Sequence, residues 1–312
     1  MSIVILNFNG LLYLQRIIPA LIALDFNDYE IVVLENGSTD GSTMYLKSFK
    51  QIHIINQTTN LGYSRGKNSA IENAAGDYIL LLDNDILIED KDILQKLLVD
   101  YRENELLTIT LLNEGETRTK YYGSYPSFYG LRENKPIDIK RILQYKGDIR
   151  PFGANGGALF FKKNLWHLLG GYDENQPFNL DDFDLGPRAW LRGFTLRIFN
   201  KTYFLHIGSR NREDPKVYLW QYRFYFSGIS RMMVKNYRWV NIVIRYPFFV
   251  GFILIKTAKR ALQYKSLGPF TTLLFSIRLF IINLPSTLKA RRQIQKSRRV
   301  RNDIFLKIRP VF

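Results

Sequence analysis

Asp83 and Asp85 flank Asn84 where a run of leucines ends, in LLLDNDILIED (Leu80 to Asp90). Two carboxylates one residue apart at the end of a buried strand make either a turn or part of a cation site. Mg2+ or Mn2+ is the kind of cation that carboxylate oxygens suit. Three other segments carry polar groups in a similar setting: NFNG brings Asn7 and Asn9, ENGSTDGS brings Glu35, Asn36, Ser38 and Asp40, and NLGYSRGKNSAI brings Asn60, Gly62, Arg65, Lys67 and Asn68. Singly, these are Asx turns, helix caps and solvated charges. Together they suit a nucleoside diphosphate, with Glu35 and Asn36 for base or ribose, Arg65 and Lys67 for phosphate, and the aspartates for a metal bridging the diphosphate. Neither a Walker loop nor GxGxxG occurs, which sets aside P-loop enzymes and dinucleotide oxidoreductases.

Such groups converge only if the segments before them are strands of one sheet. Residues 2–7, 30–35, 52–56 and 78–83 are short runs rich in Ile, Val and Leu, as buried parallel strands are. Helix-like stretches lie between them, over residues 11–23, 42–49 and 64–75, the first interrupted by Pro19. The alternation predicts an α/β fold with an open, mostly parallel, Rossmann-like sheet flanked by helices. Ligands of such sheets bind at the carboxyl ends of the strands, where the polar residues stand.

The motifs follow one order from Ser2 to Ser209: SIVILNFNG, VVLENGSTDGS, NLGYSRGKNSAI and LLLDNDILI, then GGALFFKK, GGYDEN, LDDFDLGPRAWLRGF and YFLHIGS. In that order the chain resembles a family 2 glycosyltransferase of the GT-A fold, in the rhamnosyltransferase-like branch that elongates lipid-linked bacterial surface glycans. The resemblance implies an inverting, Mn2+- or Mg2+-dependent hexosyl transfer from a dTDP- or UDP-sugar, rhamnose among the candidates. Glu35 would sit by the base, where the family usually has Asp. Asp83 would contact ribose or metal, Asp85 would hold the metal, and His206 would complete its shell. The acidic pair Asp181 and Asp182 would supply the general base, with Asp182 the matched member and Asp181 the fallback. On residue types alone that segment is also an acidic helix start, with Asp184 free to cap or to bind Arg188.

Gly156 and Gly157 suit close backbone approach beside an acceptor or sugar, or simply a loop before a strand. Trp190 walls the sugar site or packs its helix. His53 and His167 read as packing residues. Residues 113–150, polar and rich in Tyr, read as a variable loop region that sets acceptor choice.

The chain has 312 residues, no cysteine and a net charge of +16. Disulfides and cysteine-based zinc sites are thereby excluded, and the N-terminal segment lacks the pattern of a signal peptide. The charge is localised: residues 1–208 carry 22 Lys/Arg against 25 Asp/Glu, and residues 209–312 carry 22 against 3. This divides the chain into a nucleotide-sugar-binding catalytic domain (1–208) and a basic helical region (209–312). In the latter, Arg245 and Arg278 interrupt two apolar stretches below the roughly 18 to 20 residues of a membrane span. Apolar faces beside Lys/Arg clusters predict an interfacial helical region on anionic lipid, or else a homodimer interface. No nucleic-acid-reading module accompanies the charge. The expected protein is cytoplasmic, peripheral to the inner face of the membrane, with a lipid-linked saccharide as acceptor. Its catalytic domain is expected to keep donor affinity when cut after about Ser209. Two alternatives stand: a sugar transferase acting directly on polyprenyl phosphate, and a basic polyanion-binding protein with a degenerate nucleotide pocket.

Overall fold

The four apolar runs form neighbouring parallel strands β1 (Ser2–Asn7), β2 (Glu30–Asn36), β3 (Ile52–Gln57) and β4 (Tyr78–Asp83). The protein's structure is a computed structural model, which describes residues 1–132, 134–176, 180–208 and 215–312. Helices α1 (Leu11–Ile22), α2 (Ser42–Lys47) and α3 (Tyr63–Glu72) cross between consecutive strands, and α1 runs unbroken through Pro19. On β1, Ile3 and Ile5 face one core while Val4 and Leu6 face the other. Burial on both faces is why β1, β2 and β4 read as continuous apolar runs rather than alternating ones.

After the short β5 (Ile86–Leu87) come α4 (Ile93–Asp100) and the long β6 (Glu105–Asn113). Small elements follow: β7 (Arg118–Thr119), β8 (Tyr125–Ser127), β9 (Gly130–Arg132), β10 (Ile137–Asp138) and α5 (Ile139–Leu143). The body closes with β11 (Ala158–Lys162), α6 (Lys163–Leu169), α7 (Asp181–Leu191) and β12 (Thr195–His206). The eight-stranded sheet has the order β3-β2-β1-β4-β11-β6-β12-β5. β6 and β12 run parallel, while β11 and β5 are antiparallel to their neighbours. The result is a mixed α/β sheet whose parallel half carries the expected strand ends.

Three expectations change. β3 is the edge strand, so His53 is exposed rather than packed. His167 is exposed on α6, its ring 3.3 Å from Glu72. Residues 113–150 are not a plain loop: β7 pairs with β10, β8 pairs with β9, and Tyr122, Tyr125, Ile142 and Ile149 build a small core beneath them. Hydrophobic spacing was too short for any of these strands to show periodicity.

The basic region is helical: α8 (Pro215–Asn236), α9 (Trp239–Tyr264), α10 (Gly268–Ile282) and α11 (Leu284–Lys296), ending in a 3-10 turn at Ile304–Lys307. Residues 209–214, at the start of the expected second region, lie outside the described residues. The main core crosses that boundary, because Ile229, Met232, Met233, Phe249 and Ile253 pack in one cluster with Trp166, Leu185 and Ala189. Arg245 does not interrupt α9. Its guanidinium reaches the Ser127 carbonyl at 3.2 Å, and the 26-residue helix is by length and composition alone long and apolar enough to cross a membrane.

Candidate active site

Where β1 and β2 end side by side, Asn7 and Glu35 are register partners and both are buried. Asn7 Nδ2 donates to both Glu35 carboxylate oxygens at 3.1 and 3.0 Å, and the Ser42 hydroxyl donates to Oε2 at 2.9 Å. The Ser38 hydroxyl also binds Glu35 and accepts from the Asn9 amide at 2.9 Å. Asp40 accepts from the Leu11 and Ser42 amides, tying the starts of α1 and α2 together. Asn36 donates to Asn60 Oδ1 at 2.9 Å and accepts from the Leu61 amide, and Asn60 Oδ1 also takes the Gly62 amide at 2.7 Å. The candidates Asn7, Asn9, Glu35, Asn36, Ser38, Asp40, Asn60 and Gly62 thus form a hydrogen-bonded rim around the strand ends. A buried carboxylate is tolerable there because hydrogen bonds satisfy it.

At the end of β4, Asp83 Oδ1 lies 2.6 Å from Lys67 Nζ and accepts the Tyr63 hydroxyl at 2.8 Å. Tyr63 and Lys67 are four residues apart on α3 and share a face. Lys67 is fully buried and donates also to the Gly156 carbonyl at 3.0 Å, so it is not the phosphate contact expected from its charge. The adjoining backbone joins the two acidic motifs: the Gly157 carbonyl accepts the Asp83 amide at 3.0 Å, and the Gly156 amide donates to Asp182 Oδ2 at 3.0 Å.

The acidic pair splits by environment. Asp182 is partly exposed on the first turn of α7, and its Oδ1 accepts from the Phe183 amide at 2.9 Å. Burial in the cleft pushes its pKa up to about 6, against the pull of the two amides and of Lys67. Asp181 is 2 % exposed, and its Oδ2 has no hydrogen-bond partner among the described residues. Burial, followed by the Asp182 charge, raises its pKa well above the usual carboxylate range. Asp184 turns to the far side of α7, 2.9 Å from Arg188 and 2.8 Å from Lys235 of α8.

Across the sheet edge, His206 and Ile86 pair between β12 and β5, which places His206 Nε2 3.2 Å from Asp85 Oδ2. Asn113, the His206 partner on β6, sits 3.3 Å from Nδ1, and the Tyr121 ring packs edge-on against the imidazole. A Cβ at Gly208 would lie 2.2 Å from Asp85 Oδ2, so any larger residue there would push the Asp85 carboxylate aside. Among the described residues no group of three acidic or histidine side chains is assembled for a metal. Asp85 and His206 supply two donors, and Asp83 is held by Lys67.

Two α3 residues face elsewhere. Arg65 pairs with exposed Glu174 at 3.0 Å, and Asn68 bridges the backbone of Tyr172, both beside a shallow cavity of about 420 Å³ that Trp166 and His167 also line. Trp190 is buried, with Nε1 on the Pro151 carbonyl at 3.2 Å, and packs α7 rather than facing the cleft. It stands eight residues beyond Asp182, about 12 Å along the helix. Tyr63, Asn84 and Asn113 were missed. Asn84 donates to Asn7 Oδ1 at 2.7 Å. Only the Tyr63–Lys67 spacing offered a signal in the sequence.

Residues 2–169, more than half of the chain, match the profile of glycosyl transferase family 2. The chain belongs to glycosyl transferase family 2. An uncharacterized glycosyltransferase of Bacillus subtilis (strain 168), YfnE, is 30% identical over 243 residues, covering 62% of this chain and 61% of its own length. The GalNAc(5)-diNAcBac-PP-undecaprenol beta-1,3-glucosyltransferase of Campylobacter jejuni is 22% identical over 218 residues, covering 67% of this chain and 63% of its own. The chain therefore spans less than two thirds of these relatives. The mannosyltransferase PcManGT of Pyrobaculum calidifontis, solved with GDP-Man and Mn2+, superposes with a TM-score of 0.57 at 14% identity, covering 95% of this chain and 85% of that one. That likeness establishes the GT-A fold. In this family 2 glycosyltransferase the profile ends at Leu169, so Asp182 and His206 lie beyond the matched residues.

Proposed function

We propose that this chain is an inverting glycosyltransferase that moves a sugar from a dTDP- or UDP-sugar to a lipid-linked saccharide in cell-surface polysaccharide synthesis. The observation that carries this reading is the Gly156–Gly157 backbone, which ties Asp83 at the donor end of the sheet to Asp182 on α7. In this reading one cleft would take the diphosphate beside a carboxylate that burial raises to about 6, where it can accept a proton.

Asp182 Oδ1 or Oδ2 would accept the proton of the acceptor hydroxyl as its oxygen attacks the anomeric carbon. The bond to the nucleoside diphosphate breaks on the opposite face, which inverts the centre. Burial disfavours the charged form of Asp181 beside it. The Asn7–Glu35–Ser38 rim would shape the base and ribose pocket, with Asn36 and Asn60 fixing the loop that opens α3.

Asp85 and His206 would hold a divalent ion: one carboxylate oxygen and one imidazole nitrogen, 3.2 Å apart and each about one fifth exposed, are donors that suit Mn2+ or Mg2+. Such an ion, when bound, neutralises charge on the leaving diphosphate. Asn113 orients the imidazole for it. Rhamnose is the sugar favoured by the motif resemblance. The basic helices favour a cytoplasmic location at the inner face of the membrane, and the undecaprenol-linked substrate in the name of the Campylobacter relative supports such an acceptor.

The test is a screen of dTDP-, UDP- and GDP-sugars with Mn2+ or Mg2+, following nucleotide release. Release from a dTDP- or UDP-sugar that depends on both metal and Asp182 supports the reading. Binding without release from any donor overturns it.

A further inference from the structure

The outward side of α9 is the reverse of what solvent favours. Its inner face, Ile242, Phe249 and Ile253, belongs to the main core, and Thr257 hydrogen-bonds Tyr222 of α8. Its outer face presents Val243, Ile244, Phe248, Leu254, Ile255 and Leu262, each at least 49% exposed. From Val243 to Leu262 that stripe is about 29 Å long at 1.5 Å per residue. A contiguous apolar face of this size marks an interaction surface rather than scattered exposed residues.

The hairpin of β8 and β9 extends the stripe. Phe128 meets Phe248 at 4.9 Å and Tyr129 stacks on Phe252 at 4.8 Å, yet Phe128 and Tyr129 remain 44% and 43% exposed. The other end of the hairpin belongs to the active cleft. The Ser124 amide donates to the Gly153 carbonyl at 3.0 Å, and a Cβ at Gly153 would stand 3.5 Å from the Asp182 carbonyl oxygen.

Charge identifies the occupant. Residues 215–302 carry 18 Lys/Arg and no Asp or Glu, with Arg245, Lys256, Lys259 and Arg260 along α9 itself. A second copy of the chain would bring the same positive charge to the same face, whereas an anionic phospholipid surface complements both charge and stripe. The inner face of α9 is committed to the body, so the helix lies along the surface with one side free.

We propose that the outer face of α9 and the Phe128–Tyr129 hairpin tip enter the interfacial layer of an anionic bilayer together, holding the Gly153 side of the cleft at the membrane surface. This rests on the membrane location proposed above, but not on the transfer reaction. The absence of cysteine makes the test direct, since Phe128→Cys, Ile255→Cys and Val99→Cys each give one labelling site for an environment-sensitive dye. With phosphatidylglycerol vesicles, dyes at 128 and 255 shift to the blue and brighten, while the dye at Val99, exposed on α4, does not. Phe248→Ser/Ile255→Ser lowers vesicle partitioning by at least about 10-fold with soluble donor release unchanged. A shift at 255 without one at 128 overturns the role of the hairpin. No shift at 255 while the wild type binds vesicles overturns the α9 surface and leaves the membrane location intact. A wild type that ignores vesicles at low salt overturns both. A stable dimer that Phe248→Ser/Ile255→Ser dissociates, with vesicle binding unaltered, makes the face a subunit interface and overturns the proposal.

Discussion

Asp85 Oδ2 lies 3.2 Å from His206 Nε2, although 121 positions separate the two residues. β5 is only two residues long, and its pairing with β12 is what brings them together. If the pair holds a cation, Asp85→Asn should weaken Mn2+-dependent nucleotide binding by at least about 10-fold in calorimetry, with the thermal midpoint nearly unchanged. Gly208→Ala should act in the same direction, because its methyl would displace the Asp85 carboxylate. Unaltered metal-dependent affinity in both variants returns Asp85 to a turn residue.

Asp182 and Asp181 separate proton transfer from packing. Asp182→Asn should lower kcat by about 10² to 10⁴ with donor affinity retained. The wild-type rate should fall as pH drops below about 6, since the protonated carboxyl accepts no proton, and the residual rate of Asp182→Asn should lose that dependence. Asp181 is buried away from the cleft opening and its Oδ2 has no hydrogen-bond partner among the described residues, so Asp181→Asn should leave turnover within a few-fold. The reverse ranking moves the base one residue earlier in the chain.

Lys235 links the C-terminal helices to the back of α7. Its ammonium binds Asp184 at 2.8 Å and also Asp173, which Arg231 holds at 2.8 Å. Lys235→Met leaves buried carboxylate charge short of a partner and should cost about 3 to 5 kcal/mol in denaturant unfolding. Burial works to raise the Asp173 and Asp184 pKa values, but the neighbouring cations outweigh it and hold both below the usual carboxylate range. Depressed folded values mean this stabilisation is present above the unfolded value of about 4 and lost as pH falls further through the folded values. The wild type should therefore lose more of its Tm below about pH 4 than Lys235→Met does.

A chain cut after residue 208 should not keep donor affinity. It would lose the core side chains Ile229, Met232, Met233, Tyr237, Phe249 and Ile253. At about 1.5 to 3 kcal/mol for each buried side chain, that loss matches or exceeds the whole net stability of a typical domain, about 5 to 15 kcal/mol. Circular dichroism of the fragment should show no cooperative transition. A soluble fragment that melts cooperatively and binds donor would make residues 1–208 an independent unit.

The sequence by itself determined the parallel half of the sheet and the polar loading of its strand ends, because both are local. Buried parallel strands leave continuous apolar runs, and a turn that must present Asn, Asp or Gly shows them in order. Asp184 with Arg188 was legible for the same reason, being one helical turn apart. Tertiary structure alone decided which of those polar groups face the cleft. Lys67 and Arg65 are two residues apart on α3, so one is buried against Asp83 while the other turns to Glu174. It also decided that Asn113 would stand beside His206, since strand register over 93 residues leaves no trace in either segment. The charge division near residue 208 was plain in composition, but the core crosses it, because apolar faces on α8 and α9 find partners wherever the fold places them. The outward stripe of α9 likewise needed the structure: hydrophobic periodicity says that a helix has an apolar face, and only packing says which face is left uncovered.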